Sequence, residues 1–170
     1  PEQVIGTIPT SDEAVLAADA LGVRVICDNV KAVELTDVVV LAVKPQVARQ
    51  VLTDPDLQEA MRGKLLISIA AGIRLEQLDG WLPETALVRA MPNTPCTIRE
   101  GMTVLAPGPR VEPHHLDAAR DIFSSVGRCR VLREKYLDAV TALGGSGPAF
   151  ACVLLEAMAA LGSETGTTDL

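Results

Sequence analysis

Residues Thr36 to Pro45 read T-D-V-V-V-L-A-V-K-P. Six apolar residues, Val38 to Val43, follow an acid and stop at a lysine and a proline. That pattern belongs to a strand buried on both faces of a parallel sheet. Pro45 has no N–H to give a ladder, but its fixed φ suits the first position of a helix. The strand is therefore predicted to end at Lys44 and a helix to start at Pro45. In open parallel sheets, ligands bind at the carboxyl ends of the strands. Lys44 on that lip is either a cation that supports a bound ligand or an exposed charge that merely precedes a helix.

The same reading extends in both directions. Val4 to Ile8 is a strand, and Thr10 with Glu13 has capping-box spacing for a helix through Leu21 that closes at Gly22. Val23 to Cys27 is the next strand, with Asp28-Asn29 at its carboxyl end, and Val30 to Leu35 is a short helix. The helix from Pro45 carries Val47, Val51 and Leu52 on one side and breaks at Asp54-Pro55. Leu65 to Ala70 is a buried strand, and Ala71-Gly72 gives a tight turn or a close backbone approach to a ligand. Helix Leu75 to Trp81, strand Ala86 to Met91, the rigid turn Pro92–Pro95 and strand Thr103 to Ala106 follow. Leu116, Ala119, Phe123 and Val126 repeat at helical spacing after Pro113, with Gly127 as the stop. Arg130 to Leu132 is a last strand, and Leu137 to Leu143 is helical. A strongly apolar helix then starts at Pro148 and runs to about Leu161, with Glu156 its one charge, so something must cover it.

Alternating strands and helices make an α/β, doubly wound (Rossmann-type), mostly parallel sheet of the dinucleotide-binding kind. Its first strand and G-x-G-x-x-G turn are not found, so the sheet is expected to be incomplete at its N-terminus. Residues 1–143 form that domain, and 144–170 begin an all-α C-terminal domain. The run Gly145-Ser146-Gly147-Pro148-Ala149-Phe150 fails as the phosphate fingerprint, because Phe150 takes its third glycine position and a helix precedes it. It reads as a hinge.

Composition narrows the function. The 170 residues are 48% apolar and 2% aromatic, which dictates an aliphatic core. A net charge of −7 argues against nucleic-acid or anionic-membrane partners, both of which demand a basic face. No apolar run approaches the roughly 20 residues of a membrane span. Four scattered cysteines, Cys27, Cys96, Cys129 and Cys152, form no C-x-x-C pair and read as reduced, mostly buried thiols of a cytoplasmic protein. His114-His115 lacks carboxylate or cysteine partners at ligand spacing, so no metal is expected. Met91-Pro92-Asn93-Thr94-Pro95 sets an amide and a hydroxyl between prolines at the lip, either to orient a planar ring or simply to turn the chain. Arg99-Glu100-Gly101 reads by default as a solvated ion pair.

Taken in order and spacing, Asn29, A-V-K-P (Ala42–Pro45), S-I-A-A-G (Ser68–Gly72), M-P-N-T-P (Met91–Pro95), R-E-G (Arg99–Gly101), F-S-S-V-G (Phe123–Gly127) and D-A-V-T-A-L-G-G-S-G-P-A-F (Asp138–Phe150) resemble pyrroline-5-carboxylate reductase. The resemblance covers about Val4 to Leu161. It implies an oxidoreductase of proline biosynthesis that uses NADPH or NADH to reduce 1-pyrroline-5-carboxylate to L-proline as a homodimer or higher homo-oligomer. By the same resemblance, Asn29 lies near the adenosine half of the cofactor, and Ala42, Val43, Lys44 and Pro45 lie along the dinucleotide. Ile69, Ala70 and Ala71 border the nicotinamide ribose, with Met91 and Asn93 near the ring. Thr7, Thr10 and Ser11 lie where a 2′-phosphate is recognised, and Glu134 matches an acid of the substrate site. From Gly162 the sequence departs from the family's helix. The piece is expected to be inactive alone, since the family's glycine-rich turn and most of its dimerisation domain fall outside it. Two other readings stay open: a non-catalytic binding or regulatory remnant on this fold, and a hydroxy-acid dehydrogenase. The latter needs a lysine or histidine acid/base facing the nicotinamide, for which only Lys44 offers itself.

Overall fold

The computed structural model describes residues 2–164, so most of the divergent stretch expected from Gly162 lies outside the described residues. Strands β1 (Ile5–Thr7) and β2 (Arg24–Ile26) pair in parallel as a separate two-stranded sheet. The second sheet has the order β3 (Val38–Leu41), β4 (Leu65–Ser68), β5 (Ala86–Met91), β6 (Gly101–Pro107) and β7 (Gly127–Val131). The pairs β3/β4 and β6/β7 are parallel. Strand β6 returns alongside β5: Met102 N–H meets the Asn93 side chain at one end, and Gly108 N–H donates to the Leu87 carbonyl at the other. The sheet is mostly parallel, as the alternation requires, but it is divided where one continuous sheet was expected.

The chain forms two compact units, Pro1–Val88 with Gly108–Glu112, and Arg89–Pro107 with Pro113–Leu170. In the first, helix α1 (Ser11–Leu21) closes at Gly22 in the left-handed conformation, as its sequence predicts. Its start differs from a capping box. The Thr10 hydroxyl donates to the Glu13 carboxylate at 2.8 Å and leaves the helix N–H groups uncapped by Thr10. Asp28 caps α2 (Asn29–Glu34) by accepting from Lys31 N–H, and Asp54 caps α4 (Pro55–Ala60) by accepting from Asp56 and Leu57 N–H. Lys44 and Pro45 take the N-cap and N1 positions of α3 (Pro45–Leu52), as predicted. The buried face of α3 is Ala48 and Leu52, one turn apart, while Val47 is exposed. Those residues pack with Leu57, Met61, Leu66 and Leu78 of α5 (Leu75–Trp81) in an aliphatic core. Strand β3 is not buried on both faces. It is the outer strand of its sheet, and Val40 is 44% exposed.

In the second unit, α6 (Pro113–Ser124) buries Ala119 and Phe123 at helical spacing. Gly127 does not stop that helix but opens β7, three residues earlier in a longer strand than Arg130–Leu132. A Cβ there would stand 2.2 Å from the Gly101 oxygen and 2.5 Å from its nitrogen, at a φ of +148°. The starts of β6 and β7 therefore touch backbone to backbone, which accounts for the glycines of R-E-G and F-S-S-V-G. Leu137, first residue of α7 (Leu137–Val140), packs with Val104 and Ala106 of β6. A π-helical turn, Thr141–Gly145, then joins α8 (Gly147–Glu164), with Ser146 N–H bonded to the Thr141 carbonyl five residues back. Where a hinge was expected, helical winding continues. Helix α8 exposes apolar residues all round, Phe150, Val153, Leu154, Leu155, Met158 and Leu161 among them. Glu134–Leu161 is long and apolar enough to cross a membrane by length and composition, which counting unbroken apolar runs did not show.

The thiols correct the burial expectation. Cys27 and Cys152 are exposed, and Cys96 and Cys129 are partly buried. Cys27 lies just past the end of a two-stranded sheet, and Cys152 lies on the uncovered α8. Burial raises the Cys129 thiol above its ordinary pKa, an effect partly offset by Arg120 and Arg130. Less thiolate at neutral pH makes Cys129 slower than Cys27 toward iodoacetamide, a rate order that peptide mapping during alkylation checks. Gly127→Ala is expected to cost about 3 kcal/mol, read from the urea midpoint, because backbone cannot yield as a side chain can. Gly80→Ala, a helical site with nothing within 4 Å of the added Cβ, should instead gain about 0.5 kcal/mol.

Candidate functional site

Parallel pairing brings strand exits together. Thr7 ends β1, and Asn29 opens α2 just past β2, so both stand at the carboxyl edge of the small sheet. In the larger sheet, Ala42 to Pro45 leave β3 beside Ile69 to Ala71 leaving β4, and Ile69 N–H donates to the Leu41 carbonyl at 3.1 Å. Ala42 and Ala71 are exposed and keep the backbone approachable there, whereas Ala70 is buried in the aliphatic core. Gly72, at φ +78° with open space around it, turns the chain away from the edge. Lys44 is exposed and makes no side-chain capping bond. An exposed cation beside these loops can hold an anionic or hydroxyl-rich ligand lying flat across strand ends, a chemistry compatible with the sugar of a dinucleotide. A strand followed by G-x-G-x-x-G, which would cradle its pyrophosphate, does not occur in the sequence.

The second unit holds Met91 and Asn93. The Asn93 carbonyl oxygen accepts from Met102 N–H at 2.9 Å, and its Nδ2 donates to the Gly144 carbonyl at 3.2 Å. Both ends of the amide are thus spent on structure, which favours the turn-holding reading of M-P-N-T-P over a free ring-orienting amide. Met91 packs so closely on Gly145 that an added Cβ would stand 2.7 Å from its Cε. Glu134 lies in a 3₁₀ turn, Glu134–Tyr136, and its Oε1 is 2.7 Å from Arg89 Nη1. The Arg89 side chain is 7% exposed and that of Glu134 30%. This pairing explains Glu134 without any substrate. Arg89 escaped the sequence reading, although the signal was present: it is the one charge in A-L-V-R-A-M, and a charge inside a buried strand must find a partner.

Arg99 and Glu100 make no ion pair with each other among the described residues. Arg99 adopts φ +63° to close the 3₁₀ turn Thr94–Ile98, and it lines a cavity of about 480 Å³ with Glu100, Ser124, Ser125 and Arg128. The His114 and His115 rings lie 3.9 Å apart at the start of α6. Among the described residues no group of three His, Cys, Asp or Glu could hold a metal.

Residues 1–72 match the family model described as NADP oxidoreductase coenzyme F420-dependent, and residues 134–169 match pyrroline-5-carboxylate reductase dimerisation. The chain is 41% identical to a pyrroline-5-carboxylate reductase of Synechocystis over 159 residues, covering 94% of this chain and 59% of the relative. It is 46% identical to the Methanosarcina acetivorans enzyme of that name over 140 residues, 82% of this chain and 52% of the relative. Among solved structures, the Coxiella burnetii pyrroline-5-carboxylate reductase superimposes with a TM-score of 0.90 at 31% identity, covering 99% of this chain and 63% of that one. The Plasmodium falciparum pyrroline carboxylate reductase, solved with NADP bound, gives 0.86 at 28% identity, covering 96% and 60%. The chain thus spans roughly half to three-fifths of the length of such relatives. By these likenesses in sequence and fold, the chain belongs to the pyrroline-5-carboxylate reductase family.

Proposed function

We propose that the protein carrying this chain transfers a hydride from NADPH or NADH to the C=N carbon of 1-pyrroline-5-carboxylate, giving L-proline. The observation that carries this reading is the side-by-side exit of Ala42–Pro45 and Ile69–Ala71 at one sheet edge, in a chain that resembles reductases of that name over nine-tenths of its length. The cofactor supplies the hydride, and the protein supplies orientation. An iminium accepts hydride more readily than a neutral imine, so the site must favour the protonated ring and fix the angle of approach. Ala42, Val43, Lys44 and Pro45 lie along the dinucleotide, with the Lys44 ammonium toward its anionic or hydroxyl groups. Ile69, Ala70 and Ala71 border the nicotinamide ribose. Thr7 and Asn29 serve the adenosine end, and Met91 and Asn93 stand by the ring as scaffold. Glu134 acts on the substrate through the segment it anchors.

The uncovered α8 pairs with a second copy of the chain, a reading supported by the dimerisation family model over residues 134–169. The protein then works as a cytoplasmic homodimer or larger homo-oligomer on a small-molecule substrate. A net charge of −7 offers nucleic acid no basic face. Residues 1–143 serve the cofactor, and 144–170 begin the pairing domain.

In the full-length protein, nicotinamide oxidation should depend on pyrroline-5-carboxylate, with proline as product. Lys44→Met should raise the KM for the cofactor about tenfold, the worth of one charge-assisted hydrogen bond. Absence of turnover with either cofactor, or preference for a hydroxy acid, would reject the reading. The 170-residue chain alone, without a glycine-rich phosphate turn, is expected to turn over little. The double variant Leu154→Glu, Met158→Glu should sediment as a smaller species than the parent, and neither should float with liposomes. Flotation of the parent would instead assign α8 to a membrane.

A further inference from the structure

We propose that Arg89 is a positioning residue: its ion pair with Glu134 sets the register of the arm Glu134–Gly145 along β5 and thereby holds Gly144 against Asn93. A guanidinium cannot shed its charge, so burial at 7% exposure between Val88 and Ala90 compels a counter-ion. Glu134 supplies it at 2.7 Å, from the first residue of the arm. The far end of the arm is tied separately, by Asn93 Nδ2 on the Gly144 carbonyl.

The two ties match in length. Arg89 to Asn93 is four residues of strand and exit, about 13 Å at strand rise. Glu134 to Gly144 is ten residues of helical winding, about 15 Å. The arm therefore lies along β5 with a polar tie at each end and Leu137 packed on Val104 and Ala106 between them. Gly145 lies under the Met91 Cε, so a slip of one residue that presented Ser146 there would make the end of the Met91 side chain turn aside. Apolar packing of Leu137 tolerates small slides, whereas a charge pair at hydrogen-bond distance does not. Met91 and Asn93 are the residues placed beside the nicotinamide ring above, so the arm's register becomes the geometry of that end of the site. The catalytic consequence rests on the proposed reductase function; the structural consequence does not.

The test is the pair of substitutions Arg89→Met with Glu134→Leu in the full-length protein. Replacing a buried ion pair by apolar residues keeps or raises stability, so a merely structural pair would leave a stable, fully active enzyme. The expected result is an unchanged or higher melting temperature, displaced NMR signals of the Asn93 side-chain amide, and kcat lowered about tenfold with cofactor affinity within twofold. Unmoved Asn93 signals, or wild-type kcat, would overturn the proposal. Should that variant not fold, the exchanged pair Arg89→Glu with Glu134→Arg decides: more activity than Glu134→Gln alone supports the register role, and no recovery overturns it. If the parent itself reduces no pyrroline-5-carboxylate, the reductase reading fails, and the Asn93 signals still judge the register.

Discussion

Parallel pairing is the constraint from which the site follows. Strands that run the same way cannot be joined by a hairpin, so each must hand over to a helix before the next begins. Every exit then falls on one edge. Within the first unit this puts Thr7 with Asn29, and Ala42–Pro45 with Ile69–Ala71. What the edge can bind depends on what stands there, and here the exposed Ala42, Ala71 and Lys44 leave backbone and a cation accessible. The chemistry is written in the exits rather than in the strands.

The second unit solves a different problem. Once β6 runs back along β5, polar side chains take over the task of holding segments in place. Asn93 spans two segments with one amide, and Arg89 reaches Glu134 from inside a strand. Glycines do the rest where backbones meet, at Gly101 against Gly127, or where a side chain presses in, at Gly145 under Met91.

Much of this was legible in the sequence. Lys44-Pro45, Leu75–Trp81 and Ala86–Met91 fall where proline chemistry and apolar periodicity put them, because those signals are local. Gly127 was misread because a glycine after an amphipathic helix looks like a stop; only its contact with Gly101, 26 positions back, shows that it opens a strand. The capping box at Thr10 failed for a related reason, since spacing places the two side chains together but does not decide whether hydroxyl or backbone N–H binds the carboxylate. Val40 is exposed because an edge position depends on how many strands flank it, which a run of valines cannot state. Glu134 was singled out as a substrate acid on resemblance, while the lone arginine that holds it passed unremarked.

The last helix shows why composition alone underdetermines a role. A helix apolar on all sides belongs in a core, in a membrane or between subunits. Among the described residues nothing covers it, since Phe150, Val153 and Leu155 are about two-thirds exposed. Glu134–Leu161, at 28 residues, exceeds the roughly 20 that a span needs, and its first part carries Arg89's ion-pair partner, Lys135, Asp138 and a π turn bonded to Asn93. Those groups tie the helix's first half to a sheet surface, where water and protein satisfy them and lipid does not. What remains apolar among the described residues is the portion past Gly147, and the proposed pairing with a second copy rests on this uncovered surface, since a two-fold interface sets a face against its equal.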